Sequence, residues 1–316
     1  MKVLASEGIS TKGVEILEKA GFEVLVTRVA QEQLQDFINK NEVAALIIGS
    51  STKIDKELID ACPSLKVIGR SGLSLGNIEV KYAEKKGIEV VNTPEAPAAA
   101  VAELVFAHLF GGVRFLHDSN RNMPLEGETR FKELRKTYAG GRELRGKTLG
   151  IIGFGKTGQE VAKIALGLGM KVIASDKTIR EENIELDFFN HQSISIPVST
   201  EPLHQLIKWS DFISIHVPAQ KEPLIGEVEI NAMKDDVGII NTSRGGVIDE
   251  KALLDGLENG KISFAGLDAF ENEPAPHIKV LMNEKVSLSP RIGTATLDAR
   301  ERTGVELAEK IIRALQ

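Results

Sequence analysis

Cysteine is almost missing from this 316-residue chain. The single Cys62 excludes an intrachain disulfide and any multi-thiolate metal site, so no metal is expected, and it suits a reducing compartment. Long apolar runs are missing too. The longest, residues 43–48, falls far short of the roughly 20 residues that span a bilayer. The opening residues carry one Lys and read as a strand, without the apolar stretch of a signal peptide, so a cytoplasmic location without membrane contact is expected. Neither sign of charge dominates: 39 Lys and Arg face 45 Asp and Glu, a net charge of −6. That balance argues against nucleic acid as the main partner. No low-complexity tract is present. What remains is 42% hydrophobic and 27% charged, an ordinary globular composition, at a length that suits two domains.

Two series of short β-branched runs alternate with amphipathic segments. The first comprises 2–5, 22–26, 44–48, 66–69 and 89–92; the second comprises 148–153, 171–176, 212–217, 237–241, 264–268 and 286–289. Strands alternating with helices at this spacing predict two doubly wound parallel sheets, an α/β fold. Ser10 reads as the N-cap of a helix that stops at Gly21. Residues 98–116 predict one long helix, with Gly111 and Gly112 bending it or meeting a close neighbour. Residues 117–146 read as a polar, irregular arm or subunit contact, and 184–198 as an edge hairpin. Apolar positions 305, 308, 311, 312 and 315 mark a final helix over 297–315.

The strongest local signal is Gly153-Phe154-Gly155-Lys156-Thr157-Gly158, between a strand and a helix, with Asp176 ending the next strand 18 residues after Gly158. Gly153 makes the tight turn, Gly155 admits a pyrophosphate, and Gly158 lets helix pack on strand. Lys156 and Thr157 open the helix whose N–H groups face the phosphates. Asp176 would accept hydrogen bonds from ribose hydroxyls and repel a 2′-phosphate, favouring NAD over NADP, a preference that Lys177 weakens slightly.

With this fingerprint, HVP at 216–218, NTSRGGVIDE at 241–250 and GLDAFENEP at 266–274 resemble the D-2-hydroxyacid dehydrogenase family, its phosphoglycerate dehydrogenase branch in particular. Segments 69–80 and 92–104 look like that family's substrate loop and domain crossing. The resemblance implies a Rossmann cofactor domain, 99–290, inserted in a flavodoxin-like substrate domain, 1–98 plus 291–316. It implies a homodimer through the cofactor domain, with 117–146 as the candidate contact, and a short form without a C-terminal regulatory domain. It assigns cofactor contacts to His216, Val217, Pro218, Thr242, Ser243, Arg244, Asp268 and Gly293, and substrate contacts to Arg70, Gly72, Leu73, Ser74 and Asn77.

Oxidising a 2-hydroxy acid needs a carboxylate anchor, a base for the hydroxyl proton, and control of that base. Arg244 matches the family's Arg, whose two-pronged guanidinium Lys would not reproduce, and Glu273 matches the Glu that pairs with the catalytic His. That His is absent: the P-H-I-G-A-[ST]-T pattern appears as Pro290-Arg291-Ile292-Gly293-Thr294-Ala295-Thr296. An arginine cannot take up a proton at neutral pH, so weak turnover is expected, with Arg291 folding back on Glu273 or clamping a second anionic group of the substrate. Among the histidines, His108 reads as a satisfied core residue, and His277 is the one substitute base worth testing.

The substrate half departs further. Where branch members carry an Arg near the end of the third strand this chain has Gly49, which puts a phosphorylated substrate in doubt. The loop usually reading G-V-G-x-D-N has Ser74 and Gly76 in place of a glycine and an acid, and Ala100 replaces a usual Ser. The expected function is hydride transfer between NAD(H) and a small anionic 2-hydroxy or 2-oxo acid, slow or substrate-shifted. The alternative is a non-catalytic NAD-binding paralogue acting as a sensor or interaction protein.

Overall fold

Every residue of Val43–Ile48 is buried, and strand alternation divides them between two faces of one sheet. Ala45 and Ile47 join Val3, Ala5 and Val67 on one side, whereas Leu46 and Ile48 join Leu4 and Ile68 on the other. A strand buried on both faces needs helices on both, and the computed structural model, which describes residues 1–72 and 74–316, supplies them. Leu73 lies outside the described residues.

The chain divides into two units, Met1–Ala98 with Thr294–Gln316, and Ala99–Gly293. In the first, β1 (Lys2–Ala5), β2 (Glu23–Val26), β3 (Val43–Ile48), β4 (Val67–Arg70) and β5 (Glu89–Asn92) form a parallel sheet of order β2-β1-β3-β4-β5. Helix α1 (Thr11–Lys19) covers one face together with the chain's last helix, Leu297–Leu315, through Leu17, Leu307, Ala308 and Ile311. Ser10 caps α1 by accepting the Gly13 N–H. Helices α2 (Leu34–Asn41), α3 (Lys56–Ala61) and α4 (Val80–Lys85) cover the other face. Winding reverses between β1 and β3, so their carboxyl ends open the crevice where such sheets bind ligands.

The second unit begins with α5 (Ala98–Val113) and α6 (Leu116–Thr137). Its parallel sheet contains β6 (Thr148–Ile152) and β7 (Lys171–Ser175). Next come the hairpin strands β8 (Glu181–Asp187) and β9 (Ser193–Ser199), then β10 (Phe212–Ile215), β11 (Val237–Asn241), β12 (Ile262–Leu267) and β13 (Val286–Leu288). The main order is β13-β12-β11-β10-β6-β7, with its winding reversal between β6 and β10. Helices α5 and α7 (Lys156–Gly167) cover one face; α8 (Leu203–Trp209), α9 (Glu227–Ala232), α10 (Glu250–Glu258) and α11 (Ile278–Leu281) cover the other. The remaining helix, Leu297–Leu315, is α12. Two doubly wound α/β units result, one Rossmann-like and one flavodoxin-like.

Three expectations need correction. Most of residues 117–146 is not irregular, because Leu116–Thr137 is helical with Pro124 inside and non-helical backbone at Arg130, and only 141–146 lack regular structure. Of its side chains only Leu134 is buried, so the helix leaves almost no apolar stripe to read. The helix expected over 98–116 stops at Val113, and Phe115 turns the chain through the left-handed region (φ 54°). Gly111 and Gly112 stay helical; a Cβ on Gly112 would lie 2.1 Å from the Phe264 ring. The hairpin does not extend the edge of the main sheet. It is a separate antiparallel pair, anchored by Ile184 and Val198 and joined to β7 by a single bridge, Ala174 to Thr200.

Candidate active site

Within the second unit, the residues expected to handle cofactor and chemistry gather at the carboxyl ends of β6, β7, β10, β11 and β12. The turn after β6 is built from glycine for two different reasons. Gly153 has φ +90°, and a Cβ there would sit 2.3 Å from the His216 carbonyl oxygen; a Cβ on Gly158 would sit 2.2 Å from the Gly153 oxygen. Gly155 is different. Its backbone is ordinary (φ −68°), nothing lies within 4 Å of a built Cβ, and it stands as the N-cap of α7 with no side chain capping that helix. The missing side chain therefore leaves open space before the positive end of a 12-residue helix, which fits a pyrophosphate.

Asp176, just beyond β7, accepts the Phe154 N–H at 2.8 Å and the Thr178 and Ile179 N–H groups at 2.8 and 3.1 Å. Burial works to raise its pKa, but those backbone bonds outweigh it and hold the carboxyl below the usual range. It is the ionised acceptor a ribose diol requires. His216 follows β10, its N–H donated to the Ile152 oxygen and its Nε2 2.7 Å from Ser214 Oγ. Burial pushes its pKa down to about 3, so the ring is neutral and joins no proton traffic near pH 7. Val217 and Pro218 continue that strand end. Past β11, the Thr242 hydroxyl is buried without a hydrogen-bond partner. An orphaned hydroxyl and an open helix end together fit the polar groups of a dinucleotide.

Arg244, Glu273 and Arg291 come together. Arg291 Nη1 lies 3.0 Å from Glu273 Oε1, which also accepts the Phe270 N–H at 3.0 Å. Burial lowers the Arg244 pKa, the Arg291 charge adds to that lowering, and Glu273 opposes it. Two guanidiniums and one carboxylate thus share one patch of net positive charge. Arg291 takes a left-handed backbone (φ 55°), and the chain after it is pinned by Asp268, which accepts the Ile292 N–H at 2.8 Å and the Gly293 N–H at 2.9 Å. Those bonds place 291–293 in the second unit; the expected domain return at 291 falls at Thr294.

Several positioning residues escaped the sequence reading. Asn241 donates to the Arg244 oxygen at 2.9 Å and accepts the Ser243 N–H and hydroxyl at 3.0 and 2.8 Å, fixing the turn that presents Arg244. A Cβ on Gly245 would fall 1.8 Å from the Phe270 oxygen, so only glycine lets the Arg244 turn lie against the loop carrying Glu273. Glu250 and Glu271 each accept the other's N–H, at 2.9 and 2.8 Å, tying that loop to α10. The paired glycines of 241–250 were the available signal for Gly245.

His108 is a satisfied core histidine. Ser289 donates to Asp268 at 2.6 Å, so it accepts from His108 Nε2 at 3.0 Å, and Nδ1 then accepts from Ser287 at 2.8 Å. Burial lowers its pKa, in keeping with that neutral tautomer. His277 caps α11, its Nδ1 accepting the Lys279 N–H at 3.2 Å.

The remaining expected residues belong to the first unit. Arg70 ends β4 and donates to the Ser71 oxygen. Gly72 (φ +121°) donates its N–H to Thr93 Oγ1 at 2.8 Å. Ser74 Oγ accepts the Gly76 N–H at 3.4 Å, and Asn77 donates to the Gly49 and Thr52 oxygens at 3.0 and 2.6 Å.

Residues 106–293 match the family model described as D-isomer specific 2-hydroxyacid dehydrogenase, NAD binding domain. The chain is 41% identical to a hydroxypyruvate reductase of Thermotoga maritima over 95% of this chain and 93% of that one. It is 37% identical to a D-3-phosphoglycerate dehydrogenase of Archaeoglobus fulgidus over 99% of this chain, but spans only 57% of that relative's length. A crystal structure of a glyoxylate reductase from Paecilomyes thermophila superposes with a TM-score of 0.78 at 28% identity, covering 100% of this chain and 95% of that one.

Proposed function

The chain belongs to the D-isomer specific 2-hydroxyacid dehydrogenase family and carries its NAD-binding domain, and from that premise we propose that it interconverts a small 2-hydroxy acid and its 2-oxo acid, slowly. The observation that carries the reading is the Arg244–Glu273–Arg291 cluster, set on the same sheet whose β6 end opens onto α7. NAD, when bound, supplies the hydride acceptor, and Gly153, Gly155, Lys156, Thr157, Gly158, Asp176 and Thr242 would hold it. Arg244, on its Asn241-locked turn, would grip the substrate carboxylate in a two-pronged bond. Arg291 would stabilise negative charge on the substrate oxygen but accept no proton from it, so that proton must pass to water. A positioned acid/base is worth about 10²–10⁴ in rate, and this protein forgoes that factor. Domain roles follow: the second unit for cofactor, the first for substrate, with Arg70, Gly72, Leu73, Ser74 and Asn77 as its contacts. A homodimer would form through α6, whose Leu125 and Phe131 are exposed.

The Arg291–Glu273 ion pair also favours a second reading, an NAD-binding relative without turnover that acts as a sensor or interaction protein. Mixing the protein with NADH and a panel of 2-oxo acids, and following absorbance, separates the two. Slow oxidation above background is expected; NADH binding with no oxidation would leave the second reading standing.

A further inference from the structure

The backbone of Phe154, inside the glycine turn, is gripped at both of its polar groups. Its N–H is donated to Asp176 Oδ2 at 2.8 Å, and its carbonyl oxygen accepts from Gln159 Nε2 at 3.0 Å. A carbonyl oxygen only accepts, so the Gln159 amide must turn its NH2 group toward it. Gln159 stands in the first turn of α7, where its own N–H is donated to the Gly155 oxygen at 2.9 Å. The next donor along the turn is the Gly155 N–H, which has no acceptor among the described residues. Residues 154 and 155 are joined by a trans peptide, in which the carbonyl and the following N–H point in opposite directions. The hold on the Phe154 oxygen therefore also sets the direction of the Gly155 N–H, beside the open space that a Cβ on Gly155 would enter. Glycine at 155 leaves that peptide easy to rotate, so its direction needs a brace.

We propose that Gln159 is a positioning residue for the dinucleotide: by holding the Phe154 carbonyl it aims the Gly155 N–H at the pyrophosphate before α7. The proposal rests on the assignment of this turn to the cofactor's pyrophosphate. The ribose end is tied to the same residue, because Asp176 takes the Phe154 N–H on Oδ2 while the Thr178 and Ile179 N–H groups occupy Oδ1. Asp176 and Gln159 thus act on one residue through its two polar groups, and the ribose and pyrophosphate subsites share a support.

The test is a fluorescence titration with NADH of Gln159→Met, whose side chain keeps the length and helix preference of glutamine but donates nothing. The dissociation constant should rise about fivefold or more, as for one lost hydrogen bond, with the number of sites per chain unchanged. Fewer sites at unchanged affinity, the mark of a residue that only supports the fold, overturns the proposal. Asp176→Ala should weaken NADH as well. Because both side chains act on Phe154, the double variant should lose about threefold less, or better, than the product of the two single losses. A pair whose losses simply multiply overturns the proposal. Gly155→Ala separates the two assignments. If it binds NADH as tightly as the unaltered protein, the pyrophosphate assignment falls and the proposal with it. If it is weakened while Gln159→Met is unmoved, the proposal falls alone. Should Gln159→Met not fold, Gln159→Ala takes its place in the same readings. Failure of both to fold overturns the proposal, since Gln159 then serves the fold rather than the cofactor.

Discussion

Arg291→His should raise turnover by a factor of about 10²–10⁴, a lowering of the barrier by about 3–5 kcal/mol. An imidazole at 291 would replace a guanidinium whose nitrogen already lies 3.0 Å from Glu273, so a carboxylate partner is in place to orient it. The backbone favours the change as well. Residue 291 has φ 55°, a left-handed conformation that histidine adopts more readily than most residues. Stability should hardly move, because the ion pair being lost is 43% exposed on the arginine side and such pairs contribute at most about 1 kcal/mol. The assay is steady-state NADH oxidation with glyoxylate and hydroxypyruvate across pH. Reduction needs the protonated ring, and the Glu273 charge raises the ring's pKa above about 6.5. The variant's rate should therefore be full at low pH and fall as pH climbs through that raised value, while the unaltered protein shows no such limb. A folded, NADH-binding Arg291→His with no gain in rate would refute the reasoning, and would place the defect in how substrate is held.

Gly155→Ala should keep the fold and its melting temperature but weaken NADH binding at least tenfold, since its Cβ meets open space before α7. Gly153→Ala, at φ +90° and 2.3 Å from the His216 oxygen, should instead abolish soluble expression. Asn241→Ala should lower kcat/KM at least tenfold with a smaller change in NADH affinity, because it frees the turn that presents Arg244. His216 has a folded pKa of about 3, below its unfolded value of about 6.5. The unfolded chain therefore takes up the extra proton first, and stability should fall as pH drops below 6.5, by about 3 kcal/mol near pH 4. Denaturant midpoints of His216→Gln should show a shallower decline over that range.

The central parallel strands were legible because both of their faces are covered, which writes them as short β-branched runs such as Val43–Ile48. The cofactor turn was legible because the close contacts at Gly153 and Gly158 admit only one residue type. The pairing of Arg291 with Glu273 followed from charge, 18 positions apart in the chain. What stayed hidden lacked a local signature. Helix α6 is mostly exposed and shows no stripe. Asn241 acts through hydrogen bonds to a turn that any polar residue could seem to occupy. Glu7 meets the Ser51 hydroxyl and the Thr52 N–H only when β1 and β3, separated by some forty residues, are laid side by side.

The first sheet is completed by segments that flank the inserted second unit on both sides. Val3, Ala5, Ile47 and Val67 present one oily side that is roofed by Leu307, Ala308 and Ile311 of α12. A ribosome delivers those strands and α1 long before α12, so a nascent chain must carry a half-covered face through synthesis of the entire second unit. The inserted unit has all its strands in one continuous stretch and can mature first. Chaperone capture of arrested chains should therefore track the half-covered opening segment, and end once α12 packs onto it.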